Sequence, residues 1–308
     1  MLSQLFDADQ DGKTQTVQDL RNTLNELREK LGDGRFKDVL NTLIEEADGK
    51  FLEFLRRLLR EWFPDNDDVT PPVPLSPRGG GGGGGGGGRV NPAGFGPAES
   101  MSNKPITEGS KYYHYKPDHS NPGKKPDNIW SGFSQGPDGN CVTVSAIKAA
   151  MMRYGQKPTD VFKEVKETST GYDVTMRDGF KLSLTKDELR QAATHARFKG
   201  DDPAMMTDAN FMYAASAKRA QIENNDYVAG RSFMAAMNSL NDGEYSREGL
   251  DRLGLRGLYR PATDADLRNS RVGTVEYNGH SMAVIDGRIE LWGRRGGVPQ
   301  SGIATVLI

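Results

Sequence analysis

The sequence predicts an α+β protein, and three observations carry that prediction. Apolar residues recur at helical spacing through the first sixty or so positions and again through much of 141–253. From about position 271 the period shortens to that of half-buried strands. Between the two helical stretches lies a run of ten consecutive glycines, Gly79 to Gly88. The predicted organisation is a helical segment over 1–63, a Pro/Gly-rich linker over 64–110, and a main domain over 111–308 in which helices precede an antiparallel sheet.

In the first segment Val17, Leu20, Leu24, Leu27 and Leu31 follow a 3-4-3-4 spacing on one helix face, and Gly32 stands as the stop. A second pattern runs from Phe36 through Val39, Leu40, Leu43 and Ile44. It resumes after Gly49 with Phe51, Leu52, Leu55, Leu58, Leu59 and Trp62, and Pro64 ends it. Short amphipathic helices of this kind must bury their faces on one another, on a second copy or on a protein partner. Ahead of them, "DADQDGKTQTVQ" sets Asp7, Asp9 and Asp11 at the first, third and fifth positions of an EF-hand loop, with Gly12 at the sixth. Gln18 stands where the twelfth position calls for a bidentate glutamate. Calcium at Asp7, Asp9 and Asp11 is the resulting expectation, set against a solvated acidic lead into the first helix.

Proline in "PDNDDVTPPVPLSPR" predicts a stiff start to the linker, and the glycine run a flexible continuation. No strand, helix or GK[ST] ending surrounds those glycines, so they do not form a phosphate loop.

Within the main domain, "CVTVSAIKAAMMRY" predicts a helix from Cys141 to Tyr154, closed by Gly155. "GYDVTMRDGFKLSL" predicts a hairpin turning at Asp178-Gly179, and Thr185-x-x-Glu188 a capping box that opens the next helix. Further helices are expected near 208–223, 228–240 and 246–253. "RVGTVEYNGHSMAVIDGRIELWG" then predicts strands with a turn at Asp286-Gly287, and "IATVLI" a last strand.

Composition narrows the function. A net charge of −2 and a pI near 6.2 leave no basic footprint for nucleic acid. No apolar run is long enough to span a membrane, and "MLSQLFDADQDGK" lacks the features of a cleavable signal peptide. The expectation is a protein that is cytoplasmic or secreted by another route. A single cysteine makes no internal disulfide and no thiolate zinc site.

That cysteine, Cys141, stands where "GPDGN" gives way to a helix, and a helix N-terminus favours a thiolate. Taken alone, such a cysteine is more often a small buried hydrophobe with an inert thiol. Gln135, six residues earlier, can donate its side-chain amide to an oxyanion alongside the Cys141 N–H. A general base must come from elsewhere in the fold. Of four histidines, His114 and His119 lie in an irregular lead-in and His195 in a charged helix, whereas His280 precedes a late strand.

"QGPDGNCVTVSAI" resembles the Q-G-x-C-G-S-C-W-A-F-S-A signature of papain-like cysteine peptidases and the Q-G-x-L-G-D-C-W form of calpains. "GHSMAV" is similar to the calpain G-H-A-Y-S-V. The resemblance implies a papain-like fold and a thiol hydrolase that cleaves protein substrates, requires no cofactor, and uses Cys141 as nucleophile, His280 as base and Gln135 in the oxyanion hole. It further implies that "ELWG" replaces the family's N-S-W-G, with Glu290 orienting the imidazole and Trp292 shielding it. Val142 departs from the family's tryptophan after the nucleophile. A two-residue turn at Asp286-Gly287 would set Ala283, not His280, opposite Glu290, which leaves Asp286 as another orienter. A different class is also expected from composition. A Gly-rich acidic chain with one cysteine is similar in character to type III-secreted effectors and harpins, which suggests a non-enzymatic interaction protein, a catalytically silent relative, or delivery of the enzyme into a host cell. An acyl transferase or deamidase would use the same residues.

Overall fold

In the computed structural model the chain divides into two compact units, Met1–Val69 and Thr70–Ile308. Described are residues 1–10, 14–32, short runs between 35 and 58, and 92–308 apart from 242, 243, 245 and 270. Asp11, the glycine run and the end of the second helical pattern lie outside the described residues.

The first unit contains helices α1 (Leu2–Gln10) and α2 (Thr14–Leu31), and Gly32 takes a left-handed φ of +78° after the second. The predicted apolar faces meet in a small core of Leu5, Leu24, Phe36, Leu40, Phe54, Leu55 and Leu58. Phe6 joins it edge-on to Phe51 and Phe54. Leu27 and Leu31, at the far end of the α2 stripe, remain exposed. Asp7 and Asp9 are part of α1. A helical backbone there replaces the loop that the calcium motif requires at its first and third positions.

In the second unit the longest buried helices are α3 (Cys141–Tyr154) and α6 (Pro203–Ile222), with α4 (Pro158–Val161) and α5 (Lys186–Ala196) between them. The capping box forms as expected: Thr185 Oγ1 accepts the Glu188 N–H, and Glu188 accepts the Thr185 N–H, each at 3.0 Å. Strands β2 (Glu164–Glu167), β3 (Gly171–Thr175) and β4 (Lys181–Thr185) make a three-stranded antiparallel sheet. A short pair, β1 (Thr107–Glu108) with β5 (Lys199–Gly200), closes near the Gln135 loop. Helices α7 (Phe233–Asn238) and α8 (Glu248–Arg252) follow.

The C-terminal sheet is built from β6 (Tyr259–Ala262), β7 (Gly273–Tyr277), β8 (His280–Ile285), β9 (Arg288–Leu291), β10 (Arg294–Arg295) and β11 (Ile303–Leu307). Its antiparallel order is β10-β9-β8-β7-β11-β6, with helix α9 (Asp264–Arg268) after β6. Three two-residue turns with positive φ at both positions link β7 through β10: Asn278-Gly279, Asp286-Gly287 and Trp292-Gly293. Positive φ at both central residues matches the twist of the flanking strands. Only the second of these turns was expected.

Strand β8 sets the geometry of the site. Ala283 and Ile285 enter the main core with α3 and α6, whereas Met282 and Val284 enter a second cluster with Phe95, Leu291 and Val306. Alternation therefore aims Ser281 at α3 and His280 at the second cluster.

The predicted linker boundary at 110 moves upstream. Pro92–Phe95 forms a 3₁₀ turn that buries Phe95, and Glu99 exchanges backbone hydrogen bonds with Arg295 at 2.8 and 3.0 Å. This stretch is irregular in sequence because its partners come from the main domain and not from itself. Among the described residues no helix is long and apolar enough to cross a membrane.

Candidate functional site

Cys141 is the first residue of α3, and no side chain caps that helix. The preceding Asn140 instead donates its Nδ2 to Ala196 O at 3.1 Å. Asn140 therefore offers no cap to the first N–H groups of α3, and the Val142 N–H is directed at the Cys141 sulfur. The Ser281 N–H donates to Cys141 Sγ at 3.5 Å. Only 4% of the Cys141 surface is exposed. Burial pushes the thiol well above its ordinary range, the carboxylates of Glu244 and Glu276 add to this, and the Ser281 N–H opposes it. Next to it, Ser281 Oγ and Ser145 Oγ share a hydrogen bond of 2.8 Å.

His280 is 3% exposed. Its ring stacks on Trp292 at 4.3 Å and 14°, with Phe95 edge-on at 5.5 Å. Its Nδ1 is buried with no hydrogen-bond partner. Burial pulls the imidazole down to about 3, so it is neutral at physiological pH. The structure brings the His280–Ser281 peptide to the sulfur, while the His280 ring faces the second cluster.

Gln135 is buried in the loop that leads into α3, and its Nε2 donates to Asp138 O at 2.6 Å. A carboxamide carries two N–H donors, so one remains. The loop is held from both ends: Ser134 exchanges backbone hydrogen bonds with Lys199, and a Cβ on Gly136 would lie 1.9 Å from Arg197 O.

Glu290 does not meet His280. β8 and β9 pair Val284 with Ile289 and Ile285 with Arg288, and Glu290 is the next residue of β9 after Ile289. Paired residues share a face, so Glu290 projects toward α3 and the imidazole projects away from it. There the Glu290 carboxylate lies 3.3 Å from Lys148 Nζ and accepts the Gly293 N–H at 2.5 Å. Asp286 sits exposed in its turn. Trp292 stacks on the imidazole from the turn after β9.

Lys148 was not singled out from the sequence. It is fully buried, donates to Ile129 O at 2.6 Å and Trp130 O at 2.8 Å, and lies 4.8 Å from the centre of the Phe133 ring. Burial lowers its pKa, and Glu290 opposes that shift. The available signal was a charge in the middle of the otherwise apolar "CVTVSAIKAAMM". Phe95 carried no comparable signal.

A cleft of about 560 Å³ opens beside the Cys141 loop, lined by Asp138, Gly139, Arg190, His195, Arg197 and Asn241 among others. Arg197 pairs with Asp138 at 3.1 Å, and His195 Nε2 lies 3.3 Å from Asn241 Nδ2. His114 and His119 are exposed. Among the described residues no cluster of three or more His, Cys, Asp or Glu side chains is placed to hold a metal ion. The chain matches no protein-family model, and no curated protein or solved structure gives a significant match.

Proposed function

We propose that the second unit is a papain-like cysteine peptidase acting on protein substrates, with Cys141 as nucleophile and His280 as base. The observation that carries this reading is the 3.5 Å bond from the Ser281 N–H to Cys141 Sγ. It sets the residue after His280 against a sulfur at a helix start with no side-chain cap. In the reaction His280 takes the thiol proton, and sulfur adds to the peptide carbonyl. The Cys141 N–H and the second amide hydrogen of Gln135 receive the oxyanion. As the C–N bond breaks, the imidazolium gives its proton to the departing amine, and water then hydrolyses the thioester to restore the thiol. The described arrangement is a resting pair of neutral thiol and neutral imidazole, and the His280 ring must swing off Trp292 to engage the sulfur. Transfer to an acceptor other than water, or loss of ammonia from a carboxamide, would use the same groups. Delivery into a host cell belongs to the same proposal and rests on composition.

The burial of both groups favours a second reading, a non-catalytic interaction protein on this scaffold. Labelling of Cys141 by iodoacetamide at neutral pH separates the two. For the enzyme, His280→Ala slows labelling by roughly tenfold or more, and Cys141→Ala abolishes hydrolysis of an unfolded protein substrate. Labelling indifferent to His280, with no hydrolysis, overturns the enzyme in favour of the second reading.

A further inference from the structure

We propose that Lys148 is a positioning residue, whose buried ammonium fixes both the turn that places Trp292 on His280 and the loop that carries Gln135. The inference takes its catalytic meaning from the reading of Cys141 and His280 above, and its geometry is independent of it.

Lys148 lies seven residues after Cys141, two helical turns along α3, and is fully buried. A lysine in such a place must satisfy its ammonium locally. Two of its partners, Ile129 O and Trp130 O, belong to the chain that runs on through Phe133 and Ser134 to Gln135. The third, Glu290, bonds the N–H of Gly293 and so closes the Trp292-Gly293 turn. Trp292 stands in that turn with φ +47°, which an L-residue holds only when its surroundings fix it. A Cβ on Gly293 would lie 3.2 Å from Ser134 Oγ, so the turn and the Gln135 loop also touch. One ammonium thus ties the helix of the candidate nucleophile, the candidate oxyanion loop and the aromatic cover of the candidate base. A group present only to fill the core would need no such set of partners, because apolar residues of similar volume pack as well or better.

The test is the NMR titration of the His280 ring in the full chain, assigned by its loss in His280→Asn. With Lys148→Met the turn loses its anchor, water reaches the ring, and its titration rises from about 3 by about one pH unit or more. Glu290→Gln keeps an acceptor for both the Gly293 N–H and the ammonium, and leaves the titration in place. Lys148→Met combined with Glu290→Met removes the buried charges together. It keeps thermal stability near that of the parent while His280 still titrates upward, and it carries the test if the single variant does not fold. A folded variant without Lys148 whose His280 titrates as in the parent overturns the proposal. If the titration shifts as expected while Cys141 labelling ignores His280, the positioning role stands and the peptidase reading falls.

Discussion

The imidazole of His280 lies nearly flat on the indole of Trp292, 4.3 Å between ring centres, with Phe95 closing the edge. Aromatic neighbours replace water around a ring that would otherwise charge near neutrality. The folded ring therefore titrates at about 3, against an ordinary value of 6.5. Between those values the unfolded chain holds a proton that the native chain lacks. Stability from this source is complete above pH 6.5 and falls as the pH drops toward 3. The loss amounts to a few kcal/mol, on the order of the full shift. Urea denaturation at about pH 7 and about pH 4 should show it, and His280→Phe should flatten that part of the profile. An equal slope in the variant would mean that other groups set the acid response.

The hydroxyls of Ser145 and Ser281 bond each other at 2.8 Å beneath the sulfur, and Ser145 Oγ also donates to Val142 O at 3.0 Å. Both residues are buried. Ser145→Ala leaves the Ser281 hydroxyl without its partner and should cost about 1–3 kcal/mol. Removing both hydroxyls should cost less than the two single changes added together, with a coupling of roughly 0.5–3 kcal/mol. A double-mutant cycle in urea measures it directly, and strict additivity would show that the contact contributes nothing of its own.

Helices were legible where apolar period and stop coincide: Gly32 and Gly155 end helices where the pattern ends, and Thr185 with Glu188 starts one, whereas the helix expected over 228–240 is a 3₁₀ turn at Ala229–Arg231 followed by the short α7. The tail was half legible. Asp286-Gly287 was expected as a turn, and it closes the pairs Ile285–Arg288 and Val284–Ile289. Asn278-Gly279 has the same chemistry and went unread, although it decides that His280 begins β8 facing away from α3. The partners of Cys141 and Lys148 come from segments more than 15 residues away in sequence, and spacing carries no trace of such contacts. Phe95 hid for a related reason. Pro- and Gly-rich composition marks backbone that makes few bonds with itself, and here those bonds go to Arg295.

Helix α8 crosses the first turns of α3 at Gly249, where a Cβ would lie 2.3 Å from Val142 O and 3.0 Å from the Ala146 Cβ. Backbone cannot swing aside as a long side chain does, so Gly249→Ala must push the two helices apart. Overpacking of this kind costs about 1–3 kcal/mol. The displaced carbonyl belongs to the residue after Cys141, so the shift opens the thiol to solvent, and alkylation of Cys141 should accelerate. Gly179→Ala supplies the contrast: its φ of +86° strains any L-residue, yet nothing lies within 4 Å of the added carbon. It should cost about 1 kcal/mol through backbone strain alone and leave the labelling rate unchanged. Equal acceleration in both variants would mean that global opening, and not the α3–α8 crossing, controls access to the sulfur.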